Sequence, residues 1–80
     1  MDTTALTSAA AVLETHGEVL IARAQLIARQ RDSMRWDSPG ARRCRSVLDA
    51  LCSQLLAVAT ATTALADLLR NCAARVATAR

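Results

Sequence analysis

The sequence predicts an all-α fold: an antiparallel two-helix hairpin that pairs into a four-helix bundle. Three observations predict it. Residues 3–35 contain no proline and one glycine, apolar residues recur every seven positions in both halves, and a single Ser-Pro pair interrupts the pattern. Residues 1–80 therefore read as one helical hairpin.

The first helix is expected over about residues 3–35. Leu6, Leu13, Leu20, Ile27 and Met34 form a row that a helix gathers on one face. Beside it runs a row of small residues, Ala10, Gly17 and Ala24. Glycine inside a helix costs about 1 kcal/mol relative to alanine, so Gly17 predicts the close approach of another backbone.

The turn is expected at residues 36–38, within the motif Trp36, Ser38, Pro39 and Gly40. Ser38 is a good N-cap because its hydroxyl accepts a backbone N–H, and Pro39 suits the first helical position, where no donor is needed. Proline also moves Ser38 out of the α region. With no long linker, the helices fold back on each other.

The second helix is expected over about residues 39–79. With Ala41 at heptad position a, the a and d sites read Ala41, Cys44, Leu48, Leu51, Leu55, Val58, Thr62, Leu65, Leu69, Cys72, Val76 and Ala79. The pairing seam is placed on Leu48, Leu51, Leu55, Val58, Leu65 and Leu69. Cys52, Ala59, Ala66, Ala73, Val47, Leu56 and Leu68 widen the apolar arc beyond what one hairpin covers. That excess predicts self-association or a cognate partner.

Composition agrees with a chain that needs a partner surface. Eighty residues bury a small fraction of their surface, and the chain has no Phe, no Tyr and one Trp to fill a core. Ten Arg and no Lys face seven acids, and residues 41–80 carry six of the Arg against two acids, a balance that favours acidic partners without naming one. The first ten residues carry no basic charge, so no cleaved signal is expected. The longest uncharged run, residues 50–66, is 17 long and includes Ser, Gln and three Thr. A span needs roughly 20 apolar residues, so no transmembrane segment is expected.

Cys44, Cys52 and Cys72 lie on one predicted helix, with Cys44 and Cys52 about 12 Å apart, beyond the ~7 Å limit of a disulfide. Free thiols are the reading, with Cys44 and Cys72 as small apolar seam residues. Both are also 14 residues from Val58. An antiparallel pairing of second helices centred there would bring Cys44 of one chain towards Cys72 of another.

A long helix, a turn with Trp-x-Gly or Trp-x-Ser followed by small residues, and a second long helix resemble the WXG-type proteins of type VII (ESX) secretion. The matching residues are Trp36, Asp37 and Ser38, then Gly40 and Ala41. The resemblance implies a non-enzymatic secretion substrate or its dimer partner. It would pair with itself or with a paralogous WXG-type hairpin, and Trp36 would engage the bundle or the secretion machinery. Ser38 stands where the family more often has Gly, and the family's Tyr-x-x-x-Asp/Glu export signal has no counterpart here. A signal-free partner, export by another signal and a cytoplasmic relative stay open, with synthesis in the cytoplasm common to all three.

Arginines crowd the turn: Arg35, Arg42, Arg43 and Arg45 form a basic tip, with Arg29 and Arg31 nearby. A competing reading follows, a cytoplasmic coiled-coil adaptor or regulator whose tip binds an acidic protein or nucleic acid. Nucleic acid is disfavoured, because one Trp is a meagre stacking platform and no recognition motif is present. Catalysis, metal and cofactor find no constellation: His16 is the only histidine and reads as a structural contact beside Leu13 and Leu20, and Asp49 and Asp67 are about 27 Å apart along a helix.

Overall fold

The computed structural model describes residues 3–79. Two helices, α1 (Thr4–Asp32) and α2 (Pro39–Thr78), run antiparallel, so that Glu14 meets Arg70 and Arg31 meets Asp49. The hairpin is a rod of 64 × 13 × 12 Å with a radius of gyration of 18.4 Å. A compact chain of this length would have about 12 Å, so every residue lies near the surface.

α1 stops at Asp32, three residues before the expected end at 35. The cause is local. The Ser33 hydroxyl donates to the Gln30 carbonyl at 2.7 Å, and the Met34 N–H bonds Arg31 with a tightened three-residue step at 3.2 Å. The connection therefore spans residues 33–38. α2 begins as its sequence dictates: Ser38 is extended (φ −150°, ψ 165°), its Oγ accepts the Ala41 N–H at 3.0 Å, and Pro39 follows.

Packing between the helices is built from small residues. Ala10, Gly17 and Ala24 of α1 are buried against α2, where Ala41, Ala59, Ala66 and Ala73 are the buried residues. Among the described residues no large side chain is fully buried. Gly17 meets its partner closely: a Cβ there would lie 3.3 Å from Thr63 Oγ1 and 3.7 Å from the Ala59 carbonyl oxygen. The Cys52 thiol likewise donates to the Ala24 carbonyl at 3.3 Å.

The leucine rows flank this small-residue seam and are only half-buried. Leu6, Leu13, Leu20, Ile27 and Met34 of α1 share that position with Leu48, Leu55, Leu69 and Val76 of α2. Thr62, the polar member of the row, satisfies its hydroxyl on the Val58 carbonyl at 2.7 Å. The heptad seam of α2 thus divides. Its a positions face α1, whereas Leu51, Val58 and Leu65 are 42%, 53% and 47% exposed.

Because the seam has no room for a larger group at Gly17, Gly17→Leu is expected to lower stability by about 1–3 kcal/mol. Thermal unfolding followed by circular dichroism checks this against Glu18→Leu, an exposed neighbour expected to change little.

Candidate interaction surface

The turn carries the tip residues, and Asp37 organises them. Its Oδ1 accepts from Arg42 Nη1 at 3.0 Å and Arg45 Nη2 at 3.4 Å, while Arg45 Nη1 donates to the Trp36 carbonyl at 3.0 Å. The carboxylate offsets the unfavourable placement of cations at a helix N-terminus. Arg42 and Arg45 are therefore parts of the turn. Arg35 and Arg43 are exposed and form no ion pair among the described residues. Gly40 stands in open space, with only Ser38 Oγ at 3.9 Å from a Cβ placed there.

Trp36 is 57% exposed. It does not plug the end of the hairpin, and its ring is offered to solvent beside Arg35.

One long side of the rod is polar and stitched. Arg31 holds Asp49 through Nε at 2.8 Å and Nη2 at 3.4 Å, and the hydrogen bond with its charge raises the Arg31 pKa. Arg70 bridges Glu14 and Asp67. Exposed pairs of this kind are screened by water and salt and contribute little, so they fix orientation more than they hold the hairpin. Between them a shallow groove is lined by Ile21, Leu56, Thr60, Thr63 and Asp67.

The opposite side is apolar. Cys44, Leu51, Val58, Leu65 and Cys72 follow one another at seven-residue intervals along α2, all exposed, with Val47 and Leu68 exposed beside them. Of the predicted seam residues, the structure brings Leu48, Leu55 and Leu69 to α1 and leaves Leu51, Val58 and Leu65 outward. His16, expected as a structural contact, is exposed and next to Val12, because its row falls outside the two that meet α2.

Among the described residues no group of three His, Cys, Asp or Glu is placed to hold a metal ion. The three cysteines are free. By length and composition α2 passes as a membrane span. Its uncharged part covers only about 25 Å of helix, short of the ~30 Å hydrocarbon thickness. No family model, curated protein or solved structure matches the chain.

The sequence sets Asp37 among the arginines of the turn but does not mark Arg42 and Arg45 as its partners. Spacings of five and eight residues across a break carry no periodic signal. Since Ser38 supplies the N-terminal side-chain cap of α2, Ser38→Ala is expected to cost about 1 kcal/mol and Ser38→Gly a few tenths. Urea unfolding of the two variants measures the difference.

Proposed function

We propose that this chain is a non-enzymatic helical-hairpin interaction protein that works by pairing. Its biological setting is the one implied by the resemblance to WXG-type proteins: a type VII secretion substrate or the dimer partner of one. The observation that carries the pairing is the exposed, uncharged row Leu51, Val58 and Leu65, flanked by Val47 and Leu68. Contiguous apolar surface of this kind marks an interaction site. The partner is a second hairpin, either a copy or a paralogue, since two such faces complete a four-helix bundle around the half-buried leucines.

The turn supports the secretion setting. Trp36, Asp37 and Ser38 lie between two helices as they do in the family pattern, and the indole is exposed. A second reading rests on the same tip: Trp36 with Arg35 and Arg43, which form no ion pair among the described residues, makes a small cationic, aromatic point of contact for an acidic protein. An adaptor of that kind would bind through the turn and leave the α2 row free.

Val58 separates the two readings, because it is exposed while Leu55 lies between the helices. Light scattering of the purified chain, alone and co-expressed with a candidate paralogue, is expected to show a pair. Val58→Asp is expected to abolish it and to lower the melting midpoint, since a carboxylate buried without a partner is costly. A chain that stays monomeric and binds an acidic protein, with binding kept in Val58→Asp and lost in Trp36→Ala, would favour the tip.

A further inference from the structure

The exposed row of α2 is a palindrome. Read in either direction it is Cys, Leu, Val, Leu, Cys, at positions 44, 51, 58, 65 and 72. We propose that a second copy of this chain docks antiparallel on this row, with the two-fold axis at Val58. The proposal rests on the pairing reading above and specifies its partner and register.

An isologous interface is self-complementary: what one copy offers on one side of the axis, the other must receive from the opposite side. With the axis at Val58, Leu51 meets the partner's Leu65, Val58 meets its own equivalent, and Cys44 meets the partner's Cys72. On the flank, Val47 falls within one residue of the level of the partner's Leu68. All of these residues are exposed in the single hairpin.

Charge follows the same symmetry. The uncharged stretch 50–66 is centred on Val58, and Asp49 and Asp67 bound it at equal distances. Like charges brought together across an interface are costly. No charged residue of α2 lies between Asp49 and Asp67, and each aspartate is paired with an arginine, Asp49 with Arg31 and Asp67 with Arg70.

The rod exposes more surface than a compact monomer of its mass and has enough to spare for a partner. The chain presents 5781 Å² of accessible surface, whereas a compact monomer of its mass presents about 4700 Å². The surplus is comparable to the ~800 Å² that each partner buries in a stable complex.

The register has a chemical reporter. For a supercoiled pair whose axes stay about 10 Å apart along the row, with Cα atoms about 2.3 Å off each axis, facing Cα atoms are roughly 5 Å apart, inside the disulfide range. Added diamide accepts two electrons and two protons as the Cys44 and Cys72 thiols become one disulfide. Each residue's own equivalent would lie about 42 Å away.

The experiment uses Cys44→Ser and Cys72→Ser as full chains. After diamide, each variant alone is expected to run as a monomer on a non-reducing gel, and their mixture to give a cross-linked dimer. Peptide mapping is expected to find Cys44 joined to Cys72. If each variant cross-links to itself and the mixture gains nothing, the register is wrong, and a dimeric mass by light scattering would leave the pairing reading standing. A folded wild-type monomer at every concentration, with no cross-link, overturns the self-docking itself. A dimer that Val58→Asp leaves intact overturns the pairing reading along with the proposal.

Discussion

The close approach of two backbones along a seam of alanine and glycine sets the rest of this structure. With Ala10, Gly17 and Ala24 of α1 against α2, and Ala59, Ala66 and Ala73 buried in return, the helices come near enough for the Cys52 thiol to reach the Ala24 carbonyl. Such proximity gains dispersion between backbones but removes little apolar side-chain area from water. It also displaces the leucines to the edges of the contact, where they are half covered. Ordering each residue costs about 1–2 kcal/mol, and an alanine seam is a thin return on nearly seventy helical residues. The exposed α2 row is where further burial is available, and it is the surface on which the proposed pairing draws.

The turn solves a different problem. A chain with ten arginines and a basic second half must begin a helix next to Arg42, Arg43 and Arg45, where the helix dipole opposes them. Asp37 answers by binding two of the three, and Arg45 ties back to the Trp36 carbonyl. The net effect is a bend braced by Asp37, with the indole of Trp36 exposed beside Arg35 and Arg43. Capping by Ser38 and Pro39 is independent of this clamp, which is why the stop itself gives no account of Trp36.

Much of the fold was legible in the sequence. The absence of proline before residue 39, the seven-residue rows and the Ser38-Pro39 pair define both helices, and Gly17 signals the close contact. Which rows of α2 meet α1 was less legible. Three adjacent rows are apolar or small, so hydrophobic periodicity alone admits either edge, and leucine draws the eye to the a and d sites. The signal available was size: the small row of α1 fits best against the small row Ala59, Ala66 and Ala73, so Leu51, Val58 and Leu65 turn outward. The end of α1 was illegible because it depends on one hydroxyl, Ser33, and the salt bridges because arginine reach is set by tertiary distance.

Coupling between folding and pairing is tested most directly by the concentration dependence of thermal unfolding. Circular dichroism over a hundredfold range of protein concentration should show a melting midpoint that rises with concentration, since a species that is folded mainly when associated is stabilised by mass action. A midpoint that stays constant over that range, with full helicity in a light-scattering monomer, would contradict the account: the alanine seam would then hold the hairpin unaided.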